Sequence, residues 1–509
     1  MSGVGGGAAS ARPLLLRGVR VVDTLHGASP EDAPVDVLLR DGLVAAVGPR
    51  LVEPGVEVLD LDGRWLMPGL WDAHVHMDQW ALARQRLDLA GATSAAHAAT
   101  LIAARLRDRP LPEGAMLVAH GFRDGLWDDA PTADLLDRAI AAAGLPPSPV
   151  VAVSSDLHCG WLSSPALVRL GSTGHETGLL REAEWFAVAG GIDEVTGDVL
   201  DRWVHDAARA AAARGVVGIV ELEIADNISA WARRIREGSR SLRVEAGVWP
   251  QHLDHALALG LASGDLLPGL DGGLLALGPL KVISDGSLNT RTAFCHDPYP
   301  GLSGPHAHGM LTVPPEELVP LMARAHGGGL SCAIHAIGDH ANTLALDAFE
   351  ATGARGSIEH AQLLTVPDAE RMAALGVVAS IQPEHAMDDR DVADRHWVGR
   401  TDRAFAYATL ARTGARLALG SDAPVAPLDP WVAIDAAVHR TRGGRPAWHP
   451  EQRLDRLTAL HGSVRTHVGA GQPADLVVLD TDPRDPATAL RQMPVVATML
   501  AGRWTHTTL

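Results

Sequence analysis

The sequence predicts an α/β protein built on a (β/α)8 barrel, with a small β-sandwich formed by both termini and a large insertion after the first barrel strand. Three observations lead there. Eight short apolar segments recur through the middle of the chain, separated by Ala-, Leu- and Arg-rich helical stretches, which is the rhythm of parallel βα units. Segments rich in β-prone residues occupy both ends, and chain termini often lie close together. One connection of about 140 residues far exceeds an ordinary βα loop. A chain of 509 residues has room for a barrel with insertions and a smaller second unit.

Residues 1–12 begin MSGVGGGAAS and lack both a basic n-region and an apolar run, so they read as a disordered tail rather than a signal peptide. In residues 13–66, LLLRGVRVVD, VDVLLRDGLVAAVG and VEVLDLDGRWLM are strand-like and broken by Gly, Pro and Asp. ADLVVLD (474–480) and VVATMLAGRW (495–504) have the same character, so 471–509 is expected to complete a sandwich with 13–66. The barrel is expected over 67–470. Its strands are LWDAHVH (70–76), VVGIVELE (216–223), LRVEAGVW (242–249), LKVISDG (280–286), LSCAIHA (330–336), GSIEHAQ (356–362), VVASIQP (377–383) and RLALGSD (416–422). The insertion, about residues 80–205, holds a strand-like PVVAVSSD (149–156) and helices around 93–107 and 132–143, and is expected to cap the barrel mouth. An open doubly wound sheet is the structural alternative. No GxGxxG follows a strand, so a dinucleotide site is not supported.

Composition narrows the function. Hydrophobic residues make up 47% and charged residues 20%, enough for a large core. The net charge of -18 disfavours nucleic acids and anionic membranes. Cys159, Cys295 and Cys332 are scattered with no CxxC, which indicates neither a disulfide framework nor a Cys-based zinc site. No stretch of about 20 apolar residues reads as a membrane span. The expectation is a cytoplasmic enzyme acting on a small molecule, with room for a homodimer.

The chain has 24 histidines, and their placement carries the chemistry. His74 and His76 end the first barrel strand; residues two apart on a strand point the same way. Barrel active sites lie at the C-terminal strand ends, and two neutral imidazoles converging there suit Zn2+ or a similar metal. Alone, the HxH could be two unrelated strand histidines. Lys281 on strand four, His335 on strand five, His360 ending strand six and Asp422 ending strand eight would project into the same mouth. A lone strand histidine is ordinarily a core residue; four with an Asp, all near strand ends, are hard to explain as packing.

The wording of PGLWDAHVH (68–76), HETGLLREAE (175–184), LKVISDGSLNTRTA (280–293), CAIHAIGDHAN (332–342), SIEHAQ (357–362), SIQPEH (380–385) and ALGSDAPV (418–425) resembles the amidohydrolase superfamily, in its YtcJ-like branch (the amidohydrolase 3 family). The resemblance runs over nearly the whole chain and implies two divalent metal ions, expected to be Zn2+. It implies that His74, His76 and Asp422 hold the more buried metal and His335 and His360 the second. It further implies that a CO2-derived carbamate on Lys281 bridges them; an unmodified ammonium would instead read as a structural ion pair, with Asp285 as a candidate partner. Asp422 would orient a bridging hydroxide and carry its proton to the leaving nitrogen. The implied reaction is hydrolysis of a non-peptide carbon–nitrogen bond in a small amide or N-substituted formamide.

Ester or lactone hydrolysis uses the same nucleophile. Heterocycle deamination is disfavoured because no Glu follows His335. Softer candidates are His158, within SSDLHCGWLSSPAL (154–167), for substrate contact; Trp161, Asp285 and Arg291 for the pocket lining; and Gln382 as a hydrogen-bond donor. Asp339 reads as orienting local structure, and Glu221 and Glu223 read equally as partners behind the ligands or as ordinary polar strand ends. Ser163, Asn289 and Thr290 depart from the family pattern and bear on the substrate.

Overall fold

The computed structural model describes residues 12–24, 33–111, 115–190, 192 and 197–509. Apart from Arg12, the expected tail lies outside them. Eight parallel strands form one sheet: β1 (Leu70–Val75), β2 (Val216–Glu221), β3 (Arg243–Val248), β4 (Leu275–Ile283), β5 (Cys332–Ala336), β6 (Gly356–His360), β7 (Val378–Ile381) and β8 (Leu417–Leu419). Each overlaps one of the eight segments read from the sequence. All six residues of β2 and all five of β5 are buried, as expected where helices cover the outside and side chains fill the inside.

The sheet closes at its C-terminal end. Val75 and Ala423 form a parallel bridge. Asp422 N donates to His74 O at 2.8 Å, and His76 N donates to Ala423 O at 2.9 Å. The Asp72 carboxylate reinforces this seam: Oδ1 accepts from His74 N at 3.1 Å and from Ser421 N at 2.9 Å. Gly420 lets the two segments approach, since a Cβ there would sit 2.8 Å from His74 N.

Strands from both ends of the chain share a second sheet. Leu476–Leu479 pairs antiparallel with Trp65–Pro68, which pairs parallel with Leu14–Val21. Val495–Leu500 and Arg503–Thr507 extend one side; Val35–Arg40 and Leu43–Gly48 extend the other. Leu16, Val37, Leu66 and Val478 are buried in its core. Arg243 of the barrel forms an ion pair with Asp475 beside this sheet at 2.6 Å.

The long connection after β1 carries a third sheet of five strands: Leu87–Asp88, Leu117–Phe122, Val150–Ser154, Cys159–Leu162 and Leu179–Arg181. Helices Ala95–Asp108 and Ala133–Ala142 pack on it, each started by a hydroxyl cap, from Ser94 and Thr132 respectively. Only Val150–Ser154 among these strands was legible in the sequence. The others have two to six residues, and Gly121 in a left-handed conformation breaks the alternation of the longest.

Removing the seam carboxylate should loosen the barrel. Asp72→Ala leaves two buried N–H groups without an acceptor and should lower stability by about 2–5 kcal/mol. Asp72→Asn keeps a carbonyl oxygen at that position and should cost much less. Chemical unfolding of the two variants beside the parent checks this.

Candidate metal centre and substrate cavity

His74 and His76 leave the end of β1 on one face, and the closing seam lays Asp422 against both. Asp422 Oδ1 is 3.4 Å from His74 Nε2 and 3.3 Å from His76 Nε2. Asp422 is a non-glycine residue in the left-handed region, with φ 57°, and His360 has φ 73°. Such backbone costs on the order of 1–3 kcal/mol per residue and clusters where function demands a direction. Here it turns both side chains back into the mouth. The His360 ring lies 5.0 Å from that of His74 and 4.6 Å from that of His335, centroid to centroid. Lys281 sits within β4 rather than at its end, and its long chain brings Nζ to 3.5 Å from His74 Nε2.

Carboxylates behind the histidines fix their orientation. His74 Nδ1 is 2.7 Å from Glu359 Oε2, which frees Nε2 to face the mouth. Ser357 Oγ donates to the other Glu359 oxygen. His335 Nδ1 lies 3.3 Å from Asp285 Oδ1. Asp285 also accepts from Ile337 N, Gly338 N and Phe294 N, so it anchors the loop after β5.

Burial sets the protonation states. It holds His74 and His360 well below the ordinary imidazole range, reinforced by neighbouring cationic groups, and lowers His335 despite Asp285. Burial acts the same way on His76, but the hydrogen bond and charge of Asp422 outweigh it and raise its pKa. Burial lowers Lys281 against the pull of Glu359 and Asp422, and raises Glu359. The result is a set of largely neutral imidazoles with a carboxylate at one point, which is the donor chemistry of a zinc-like cation. Among the described residues, two groups bring ligand atoms within 4.8 Å of one another: His74, His76 and Asp422, and His360, His385 and Asp422.

These residues open into a cavity of about 630 Å3. The barrel supplies its polar floor. The insertion supplies much of an apolar wall through Phe122, Leu157, Trp185 and Phe186. His158 lines the same cavity, its ring edge-to-face with Phe186 at 5.7 Å. Glu182 Oε2 lies 3.0 Å from His158 Nδ1, and Thr292, from the loop after β4, donates to Glu182 Oε1 at 3.1 Å. Arg123 of the insertion pairs with Asp388 of the helix after β7 at 2.5 Å.

Four softer candidates are corrected. Trp161 is fully buried in the core of the insertion, because the apolar side of its short strand packs against Phe122. Asp285 stands behind His335 rather than on the cavity wall, and it is not an ion-pair partner of Lys281. Arg291 is exposed at a left-handed turn, φ 61°, outside the lining. Gln382 donates back to Ser380 O at 3.2 Å at the start of the helix Pro383–His396 and does not reach the cavity. Asp339, Glu221 and Glu223 each accept from local donors, and Glu223 also lines the cavity. Asp339 accepts from His296 N and Arg403, and Glu221 accepts from Met77 N and Trp231 Nε1. Glu223 accepts from the Gln79 side chain.

Sequence reasoning missed Glu359 and His385. Glu359 adjoins His360 in IEH, and the period of two placed it on the face away from the expected ligand. His385 lies in SIQPEH, in the first turn of the helix that Pro383 starts, where a strand-end rule does not look.

The sequence model of the amidohydrolase family matches residues 57–506. The chain belongs to the amidohydrolase family. It is 28% identical over 525 residues to Protein LONG AFTER FAR-RED 3 of Arabidopsis thaliana, covering 91% of this chain and 87% of the relative. To putative amidohydrolase YtcJ of Bacillus subtilis (strain 168) it is 27% identical, covering 92% and 95%. To an N-substituted formamide deformylase of Arthrobacter pascens it is 25% identical, covering 95% and 96%. An uncharacterized metal-dependent hydrolase from Pyrococcus horikoshii OT3 superposes with a TM-score of 0.77 at 27% identity, covering 94% of this chain and 99% of that one. Membership of this family makes the protein a hydrolase acting on carbon–nitrogen bonds. Among the described residues, no helix is long and apolar enough to cross a membrane.

Glu359→Gln preserves shape but removes the charge that orients His74. Metal affinity should fall about 10- to 100-fold, as is usual for such supporting partners. Competition against a fluorescent chelator measures it; unchanged affinity would show that Glu359 is not needed to orient the ligand.

Proposed function

We propose that this amidohydrolase cleaves a small amide or N-substituted formamide with two bound zinc ions. In this reading His74, His76 and Asp422 would hold one ion and His335 and His360 the other, with Lys281, as a carbamate, supplying anionic oxygens to both. The observation that carries it is the position of the Asp422 carboxylate, within 3.4 Å of both β1 histidines at the closed end of the barrel. Supporting it, burial and neighbouring cationic groups hold His74 and His360 well below the ordinary imidazole range, which favours the neutral rings that bind a cation. The lowered pKa of Lys281 favours the neutral amine that reaction with CO2 requires. The name of the Arthrobacter pascens relative supports a formamide. Three buried free cysteines fit a reducing cytoplasm.

When bound, the cations would acidify a water and polarise the scissile carbonyl. The protein's own groups do the rest. Asp422 orients the attacking water, takes its proton on a carboxylate oxygen and returns it to the leaving nitrogen. His158, held by Glu182, and the apolar wall of the insertion bind the substituent on the amide and exclude bulk water, so that the insertion works as a cap. Asp339, the acid nearest after His335, is occupied by His296 N and Arg403, which weighs against the deaminase alternative.

Screening the zinc-loaded enzyme against N-alkyl and N-aryl formamides, small amides, lactones and aminopurines tests the reading; turnover of lactones or aminopurines alone would reject it. Asp422→Asn should lower kcat by about 100- to 10,000-fold while the fold persists, because an amide cannot take the proton. Lys281→Ala should lose at least one metal per chain by elemental analysis. Intact mass of the gently handled parent should show one added CO2 at Lys281. An unmodified lysine in a fully loaded, active enzyme would reject the bridge.

A further inference from the structure

The helix Pro383–His396, which follows β7, lays His385, Asp388, Asp389 and Val392 along one wall of the cavity. Their spacing of three and four residues puts them on one helix face. His385 Nε2 lies 3.7 Å from Asp422 Oδ2, so this stripe starts at the barrel mouth. Asp389 sits one turn, about 6 Å, further along the wall. Beyond it the helix meets the insertion, where Arg395 donates to Gly125 O at 3.1 Å.

The two carboxylates of the stripe differ in their partners. Asp388 lies 2.5 Å from Arg123 of the insertion and 2.5 Å from Arg442. Arg442 is shared with Glu384 at 2.8 Å. Asp389 has no hydrogen bond or ion pair among the described residues; Arg123 and Arg442 act on it only from a distance. Burial and the charge of Asp388 push its pKa up to about 7, as expected of a carboxylate left without a close cation. Asp156, on the insertion's side of the cavity, adds a second negative group. It is held by Ser154 Oγ at 2.6 Å and His158 N at 3.2 Å, and by no cation among the described residues.

Asn289 lines the same region. Its Oδ1 approaches Gly125 closely: a Cβ on that glycine would lie 2.5 Å from Asn289 Oδ1 and 3.9 Å from Val392 Cγ2. The Asn289 amide also has no hydrogen bond among the described residues. A carboxylate and an amide without partners, set beside the apolar wall of Phe122, Trp185 and Phe186, suit a ligand that is apolar along its length and polar at its end. A metal ion is not the occupant: among the described residues, both groups that could hold one include Asp422.

We propose that Asp389 and Asn289 form a distal subsite that receives a cationic nitrogen at the end of the substrate's substituent. The substrate class is then an N-(ω-aminoalkyl)formamide or amide, with a stem of about four to six carbons to span the helical turn between His385 and Asp389. The Asp389 carboxylate and Asn289 Oδ1 accept from the ammonium, and the apolar wall covers the stem. The formamide part of this assignment rests on the reading above. The cation at Asp389 does not.

The test compares N-(ω-aminoalkyl)formamides on stems of about three to six carbons with N-alkylformamides and ω-carboxylates of equal length, all with the zinc-loaded parent. A charge-assisted contact of this kind is worth about 10- to 100-fold. The best amino compound should exceed its alkyl counterpart by that factor in kcat/KM, with the difference carried by KM, and the carboxylates should be poorest. Asp389→Asn should abolish the preference for the amine, and Asp389→Lys should turn it toward the carboxylate. Asp389→Ala serves where the asparagine form fails to fold. A parent that prefers the alkyl or carboxylate compounds, or an amine preference retained without the Asp389 carboxylate, would overturn the proposal. If the parent hydrolyses nothing on the panel, the amide reading fails. Calorimetric titration of the parent with the same compounds then reads the preference without turnover: tighter binding of the amine upholds the subsite, and equal or undetectable binding overturns it.

Discussion

The seam between β1 and the segment after β8 is the constraint on which the site depends. Two backbone hydrogen bonds and the Asp72 carboxylate bind the first strand to the last. Because the bonded residues are His74 and His76 on one side and Asp422 and Ala423 on the other, closing the barrel and assembling the metal-binding group are one event. A ligand group built across a closed sheet inherits the sheet's rigidity, and a metal site needs that more than it needs any single strong contact. The left-handed backbone of Asp422 and His360 shows that local strain is tolerated where this rigidity over-determines it.

Behind the mouth lies a layer of buried carboxylates. Glu359 and Asp285 each lie against one ring nitrogen of a ligand histidine. They also change the charge balance. Counting only Asp422 against two divalent cations makes a carbamate on Lys281 look electrostatically obligatory. With Glu359 and Asp285 within one side chain of the mouth, part of that charge is already met. The stronger argument for the proposed carbamate is then coordination: the lysine Nζ ends 3.5 Å from His74 Nε2, and an ammonium there would repel a cation in the proposed site.

The insertion gives the cavity its character. It has its own cores, and it meets the barrel through polar links such as Thr292 to Glu182 and Arg123 to Asp388. These links surround the cavity, so the apolar wall of Phe122, Trp185 and Phe186 is held against the polar floor. In the proposed reaction the two sides would divide the work: the floor would recognise the group to be cleaved, and the wall what it carries. Asn289, one of the departures from the family pattern, lines this cavity.

The barrel strands were legible because each is a short apolar run between helical stretches, and strands buried on both faces leave that signature whatever they pack against. His74, His76, His335, His360 and Asp422 were legible because strand-end position converts directly into a place at the barrel mouth. Strand four also placed Lys281 at this mouth, but only the resemblance gave it a role, since it lies within β4 rather than at its end. The partners of these groups were not. Which nitrogen of His74 meets Glu359 and why Asp285 stands behind His335 depend on side chains brought together from different strands. Trp161 and Arg291 were misplaced for the same reason: short strands and a left-handed turn decide which way a residue faces, and neither has a period long enough to read. The sequence by itself determined the barrel and the kinds of atom at its mouth, because both follow from local periodicity. Only the tertiary structure decided orientation, charge balance and the cavity, because these are set by contacts between segments far apart in the chain.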